Sequence, residues 1–437
     1  MAMVIKHNLD AARTLNMMDA NHTMAHKHLM KVSTGMKVRD AQDDAAAFAI
    51  SERMRVRIRA LEQAHNNTQN GSNMIRTAEG AVSSIIDALR TLKEKAIDAA
   101  NDSNSDEDRR MIQKEFDQLV DQIDEDALIT FNGMHLINDI RNNALVSTQE
   151  IMSNYNLSTE TTAETTFAEL MTRTGESLGI KDDDIVNWSV VANGQTFHGQ
   201  VTGNTALGEL FANAEGITAP LIEAYNETTV SEDVDKFGNN LIMEAGVYVS
   251  ATTDEENPRH MAGFTLSVTD SNGKVNKFAN AQLQFREFNR GENQTGDRAL
   301  SFHVGANANV ATKFALTDMR ANALGLKGSD NKIISISTKD DANAAIAAID
   351  NILERVLDQQ TTIGAALVRL ERTATNLTTS YTDDQSSESV IRDADMAKEM
   401  TGYAKYNLLS QTSQAMLAHA NQNPMDVLYL LGEGEEE

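Results

Sequence analysis

Ile75-Arg76-Thr77-Ala78-Glu79-Gly80-Ala81-Val82-Ser83-Ser84-Ile85-Ile86-Asp87-Ala88-Leu89-Arg90-Thr91-Leu92-Lys93-Glu94-Lys95-Ala96-Ile97-Asp98-Ala99 is the stretch that decides the architecture. Ile75, Ala78, Val82, Ile85, Leu89, Leu92, Ala96 and Ala99 fall at alternating steps of three and four. That spacing puts apolar side chains on one narrow seam of a helix, which must pack against another helix to leave water. Far downstream, Ile346, Ile349, Leu353, Val356, Gln360, Ile363, Leu367 and Leu370 repeat the pattern, continuing through Ala374, Leu377 and Tyr381. Two ladders near opposite ends predict that the termini pair and that everything between them is looped out.

Composition narrows the function. The chain has 437 residues, enough for several domains and more than one core. A formal net charge of -26 repels polyphosphate, so neither nucleic acid nor an anionic membrane surface is an expected partner. With no cysteine, disulfides and thiolate metal sites are excluded, which fits an extracellular bacterial protein. No cleaved signal peptide and no bilayer-spanning apolar run is expected. The three prolines are Pro220, Pro258 and Pro424, leaving the first half without a forced helix break.

Working outward from the ladders, Leu15, Met18, His22, Ala25, Leu29 and Val32 form a shorter seam that stops at Ser33-Thr34-Gly35, glycine being favoured just past a helix end. A second helix is expected from about Ala41 into the first ladder, then a polar loop over Asn101 to Asp108, then a helix carrying Ile112, Phe116, Leu119, Val120 and Ile123. Phe131-Asn132-Gly133 reads as a turn after a short strand. The middle changes character. Ser158 to Thr166 reads as a polar loop or a frayed helix start, and Asn193-Gly194 and Asn272-Gly273 predict two hairpins, Trp188–Val191 with Thr196–Val201 and Phe264–Val268 with Val275–Phe278. Helix returns near Asp341 and holds to about Thr379; Thr382 to Ser389 reads as a break, Ile391 to Ala420 as a last helix, Asn423-Pro424 as an interruption, and Gly432 to Glu437 as an acidic tail. The fold class is thus mainly α at paired termini, as antiparallel coiled-coil rods, plus a mixed α/β or β-rich outer domain.

Candidate chemical sites are weak. His22 and His26 have metal-ligand spacing on one helix face, but no carboxylate or cysteine completes a site, so His22 is expected in the seam and His26 on the surface. Asp233, Asp235, Gly238 and Glu244 fit parts of a calcium loop, yet Phe237 stands where an oxygen ligand belongs. Asp182-Asp183-Asp184 reads as a turn cap, and Asp43 and Asp44 suit the positive end of the helix that follows. No phosphate loop, nucleophile elbow or zinc helix occurs, so no catalytic residue, metal or cofactor is expected. Asn226-Glu227-Thr228 and Asn293-Gln294-Thr295 match the acceptor triplet for N-glycans, a weak signal in an Asn- and Thr-rich chain.

Several motifs together resemble the bacterial flagellin family. Val32-Ser33-Thr34-Gly35-Met36-Lys37-Val38-Arg39-Asp40-Ala41-Gln42-Asp43-Asp44-Ala45-Ala46 is similar to its signature, with the turn and helix start at Gly35, Arg39, Asp43 and Asp44. Thr77-Ala78-Glu79-Gly80-Ala81, Phe131-Asn132-Gly133, Val304-Gly305-Ala306-Asn307, Ile391-Arg392-Asp393-Ala394-Asp395 and Leu417-Ala418-His419-Ala420-Asn421-Gln422-Asn423-Pro424 resemble further family segments in the same order. The likeness covers roughly the first 140 and last 95 residues; the middle matches nothing nameable.

The resemblance implies a structural subunit, not an enzyme, that polymerises into the flagellar filament for swimming and is secreted into that extracellular structure. It implies an inner-core part at 1–40, a rod part at 41–140, a variable surface-exposed domain at 141–330, a returning rod at 331–390, and an inner-core part with acidic tail at 391–437. Assembly seams are expected at Leu15, Met18, Leu29, Val32, Met400, Leu408, Ala415 and Leu417, and along the rods at Ile75, Val82, Ile85, Leu89, Leu92, Ile349, Leu353, Val356, Ile363, Leu367 and Leu370. Implied partners are other copies of the chain, the flagellar export apparatus, a secretion chaperone at the C-terminal helices, and cap and junction proteins. Lys93, Glu94 and Glu115 align with the epitope of the vertebrate Toll-like receptor, where Lys95 replaces an apolar contact and weakens the expected recognition. The alternatives are a hook-filament junction protein, and a filament subunit whose middle carries an enzymatic or glycan-binding activity.

Overall fold

The computed structural model describes residues 8–211, 220–251, 261–271, 274–328 and 330–432, with side chains up to Gln422 and at Met425. The chain divides into two compact units, one built from 1–66, 304–310 and 374–437, the other from 67–303 and 311–373. Seven α-helices occur among the described residues: α1 (Leu9–Thr34), α2 (Ala45–Ala99), α3 (Asp106–Ala127), α4 (Lys277–Gln282), α5 (Ala321–Leu324), α6 (Lys339–Arg392) and α7 (Met396–Gly432).

In the first unit α1 and α7 lie antiparallel. The Asn8 amide donates to the Ala420 carbonyl at 2.7 Å, Asn21 to Ser413 Oγ at 3.2 Å, and Met36 bridges Asp393. Gly35 ends α1 with φ 70°, where a side chain is strained, and its N–H donates to the Lys31 carbonyl at 2.9 Å. Asp44 opens α2 by accepting from the Ala46 and Ala47 N–H groups, so that helix starts four residues later than expected. The expected breaks in α6 and α7 are absent. Backbone runs as helix through Thr382–Ser389 and through Pro424, and the turn falls instead at Asp393-Ala394-Asp395, where Asp395 accepts from the Ala397 and Lys398 N–H groups. Leu61 and Ala64 of α2 pack with Leu377 of α6, with Ala306 and Tyr381 against them.

The second unit contains the rest of α2 and α6, together with α3 and the strands. Ser105 caps α3 through a capping box with Asp108, and Arg109 returns from α3 to the carbonyls of Ala99 and Asn101 at the end of α2. The short hairpin β1 (Thr130–Phe131) and β2 (Met134–His135) turns at Asn132 and Gly133, both with positive φ. β3 (Ile151–Asn154), β4 (Ile185–Ala192), β5 (Gln195–Thr202), β6 (Leu221–Tyr225), β7 (Thr229–Val234), β8 (Asn240–Met243), β9 (Gly246–Ser250), β10 (Gly263–Thr269), β11 (Arg286–Asn289), β12 (Leu300–His303) and β13 (Ala311–Phe314) follow. They make antiparallel sheets of order β11-β3-β9-β6 and β10-β4-β5, plus the pairs β7-β8 and β12-β13. Asn193 and Gly194 turn β4 into β5 at positive φ, as expected. The second expected hairpin is corrected: Thr269 bridges Val275, but Lys277–Gln282 is the helix α4, and the Asn272-Gly273 turn itself lies outside the described residues.

Trp188, Phe211, Phe264 and Phe285 stack edge-on in the core of this unit, Trp188 with Phe211 at 5.1 Å between centroids. Gly263 brings β10 onto α6 so closely that a Cβ would sit 2.8 Å from Ala348 Cα, which explains why Ala344, Ala345 and Ala348 line the buried start of that helix. At the edge, His198 of β5 shares a 2.7 Å hydrogen bond with Asp341. Asp341 raises the His198 pKa. Burial pushes Asp341 up, but the bonds from His198 and Thr338 outweigh it and hold the carboxyl below its usual value. A raised histidine stabilises fully below its unfolded pKa of about 6.5, and the contribution is lost as pH climbs through the folded value. We therefore expect this unit to lose up to about 1 kcal/mol from neutral to alkaline pH, the pair being partly solvated. His198→Gln should flatten that slope in urea titrations followed by Trp188 fluorescence.

Candidate functional site

The α1–α7 pair is unusual in what it buries. Along α1 the shielded positions are Ala11, Thr14, Met18, Asn21, Ala25, His28 and Val32, and along α7 Glu399, Tyr403, Tyr406, Ser410, Ser413, Leu417 and Ala420. Both rows advance by steps of three and four, so the pair is a true heptad contact, yet it is filled mainly by small and polar residues. His28 is its centre. Its Nδ1 lies 2.6 Å from Glu399 Oε2, its ring stacks on Tyr406 at 5.4 Å, and it sits over Gly402. A Cβ at Gly402 would come within 2.7 Å of the imidazole. Gly402→Ala should therefore expel His28 and loosen α1 by about 1–2 kcal/mol. Faster amide hydrogen exchange across α1 would report it, and His28→Ala in the same chain should relieve the clash.

Most of the large apolar side chains described on both helices face outward instead. Leu9, Leu15, Met17, Met24, Leu29 and Met30 of α1 and Met396, Met400, Leu408, Leu409, Met416 and Met425 of α7 are exposed, Met17 and Leu408 each at 65 %. The Leu15–Val32 row read from the sequence overlaps only partly with the α1–α7 contact. Met18, Ala25 and Val32 lie on it, but its alternate positions are Thr14, Asn21 and His28, one residue before Leu15, His22 and Leu29. On α7, Leu417 is half-buried, whereas Met400, Leu408 and Ala415 are exposed.

The rods behave differently. Ile75, Val82, Ile85, Leu89 and Leu92 are fully buried, as are Ile349, Val356 and Leu370, with Ile363 at 1 %. Leu353, Gln360 and Leu367 are only half-buried, because α6 turns Ile352, Gln359 and Ala366 inward in their place. Lys93 pairs with Asp350 at 2.5 Å and Lys95 with Glu115 at 2.8 Å, while Glu94 is exposed. Arg39 holds Asp40 at 2.7 Å, and the Asp43 carboxylate accepts from the Arg39 backbone N–H at 3.3 Å and lies 3.5 Å from Lys27 Nζ.

The candidate chemical groups read from the sequence lie apart or serve local turns. His22 and His26 are both exposed, and no group of three or more His, Cys, Asp or Glu side chains there could hold a metal. Asp235 accepts from the Phe237 and Asn239 N–H groups, making the turn between β7 and β8 rather than a cation loop. Asp184 caps its own turn through the Lys181 N–H. A cavity of about 650 Å³ in the second unit is lined by Glu287, Arg290, Glu292 and Arg355, whose charges are matched, Arg355 binding Glu287 and Arg290 lying 3.6 Å from Glu292.

Antiparallel paired termini, long helices and a β-rich region between them are the features of a structural protein. The chain belongs to the bacterial flagellin family. Residues 5–142 match the flagellin N-terminal helical region and residues 346–431 the C-terminal helical region. It is 34% identical to a flagellin of Clostridium tyrobutyricum over 96% of this chain and 99% of the relative, and 27% identical to a flagellin of Bacillus subtilis over 98% and 100%. A flagellar filament 31.3 kDa core protein of Treponema maltophilum is 28% identical over 98% and 100%. The chain is thus a structural subunit of the flagellar filament, an extracellular assembly, and no described helix is long and apolar enough to cross a membrane.

Proposed function

We propose that α1 and α7 polymerise the chain through the apolar rows they leave outside their own pairing. The observation that carries this is the inverted distribution: Thr14, Asn21, His28, Ser410 and Ser413 are shielded while Leu15, Leu29, Met400 and Leu408 are exposed. Exposed apolar surface of this extent marks an association site. Each buried Leu or Met contributes about 1.5–3 kcal/mol, so a pair that is weak alone becomes stable among neighbours. Contacts between different faces of successive copies do not close, which yields a filament. In this scheme 1–40 and 391–437 form the inner core, 41–140 and 331–390 the rod, and 141–330 the outward surface.

The same rows on α7 would engage a secretion chaperone and the export apparatus before assembly, and cap and junction proteins at the filament ends. Toll-like receptor recognition would be weak, because Lys93 and Glu115 are already engaged by Asp350 and Lys95. Purified monomer added to short filament seeds tests the central claim. Long filaments in electron micrographs are expected; monomer that never elongates would point to a junction protein.

A further inference from the structure

We propose that the exposed methionines of α1 and α7 form a reversible oxidation site that decides whether the subunit can assemble, an inference that rests on the assembly role given above. The chain contains 20 methionines and no cysteine, so the thioether is its only oxidisable sulfur. These sulfurs are unevenly placed. Among the described residues, twelve large apolar side chains are exposed on α1 and α7 and seven of them are methionine, including Met17, Met24, Met30, Met396, Met400 and Met416. In the second unit only Met111, Met134 and Met171 are comparably exposed among the described residues, and Met74, Met152, Met261 and Met319 are buried at 3 % or less.

Susceptibility to a peroxide follows exposure, since the thioether lone pair must reach the oxidant. The sulfur attacks one peroxide oxygen, the O–O bond breaks, an S–O bond forms and the other oxygen leaves as water. Sulfur loses two electrons and the peroxide gains them. The product is a polar, chiral sulfoxide on a row whose use depends on being apolar. A thiol-dependent sulfoxide reductase returns the oxygen as water, with two thiols becoming a disulfide. The α1–α7 pairing is held by Asn8 with Ala420, Asn21 with Ser413, and His28 with Glu399, Tyr406 and Gly402, and the one methionine in its rows, Met18, is partly shielded. The switch therefore acts on association and leaves the fold intact.

The experiment treats purified full-length monomer with hydrogen peroxide, maps sulfoxides by peptide mass spectrometry, and then adds filament seeds. Oxygen should appear on the six named methionines, as on the exposed Met425, Met111, Met134 and Met171, before it reaches the buried ones, with Trp188 fluorescence unchanged. Elongation should fall at least tenfold and return after incubation with methionine sulfoxide reductases A and B and a dithiol. A chain with these six and Met425 changed to leucine should keep its own untreated elongation rate after peroxide. Preformed filaments should protect the six. Oxidised monomer that elongates at the untreated rate would overturn the proposal, as would oxidation that starts at the buried methionines. Untreated monomer that does not elongate, or filaments that leave the six unprotected, would instead overturn the assembly role on which the proposal rests.

Discussion

Leu15→Ser, Leu29→Ser and Leu408→Ser combined in one chain will abolish elongation from seeds while leaving the monomer folded. These three leucines are exposed at 44 %, 43 % and 65 % in the single chain, so replacing them removes little that the monomer buries. Surface substitutions of this kind usually change stability by no more than about 0.5 kcal/mol. In the filament each leucine would be covered by a neighbouring copy, at about 1.5–3 kcal/mol apiece. Every 1.4 kcal/mol is a factor of ten in association. One substitution should thus raise the monomer concentration needed for growth by about ten- to a hundredfold, and three should put it out of reach. Thr14→Leu is the opposing control. It adds bulk to the shielded row, where Thr14 lies half-covered, and should act on the α1–α7 pairing before it acts on growth. If the triple variant elongates normally, the outward rows are not the assembly surface. Sedimentation of seeded samples over a monomer concentration series gives the answer.

The sequence makes the helices and their pairing legible because heptad spacing survives every local irregularity; the first ladder, Ile75 to Ala99, is buried at every position. Two kinds of feature were not legible. One is the choice between adjacent residues. At 352 and 353 both candidates are aliphatic, at 359 and 360 both are glutamine, and at 366 and 367 the fold takes alanine and leaves leucine half-covered. Hydrophobicity favours the larger side chain, but close approach of packed elements favours the smaller. The same displacement by one residue on α1 makes Leu15 and Leu29 outward residues, and an apolar side chain cannot announce which molecule will cover it.

The other is where a polar stretch breaks a helix. Thr382 to Ser389 carries the composition of a loop, yet the hydroxyls of Thr378, Thr379, Thr382 and Ser387 donate to carbonyls three or four residues back, satisfying themselves inside the helix. Tertiary contacts then hold it, Asp384 binding Arg57 at 2.9 Å and Arg392 binding Glu52 at 2.8 Å. The β-rich middle was visible only where a turn demanded positive φ, as at Asn193-Gly194. Sheet order depends on long-range pairing that local propensity does not encode.

Arg355→Met should destabilise the second unit by about 3–5 kcal/mol, the cost of removing one partner from a buried charge network. Its guanidinium is buried, with its side chain 5 % exposed, and it bonds both Glu150 of the segment entering β3 and Glu287 of β11, whose side chains are 2 % and 13 % exposed. Burial alone lowers the arginine's pKa to about 10, still far above neutral, so the charge persists and both carboxylates depend on it. Methionine fills similar volume and leaves no cavity to confuse the result. What it leaves is two carboxylates that must take up protons or water. Trp188, the only tryptophan, lies in this unit's core at 4 % exposure, and its fluorescence in urea therefore reports this unit and not the α1–α7 pair. The triple change Arg355→Met, Glu150→Leu, Glu287→Leu separates two explanations. If the loss comes from stranded charge, replacing all three by apolar side chains should recover most of it. If the triple variant is as unstable as the single one, the arginine is needed for its hydrogen bonds and their geometry, joining α6 to the sheet through two different strand segments. Elongation from seeds should survive in either case wherever the monomer remains folded, because none of these three residues lies on the outward rows of α1 and α7.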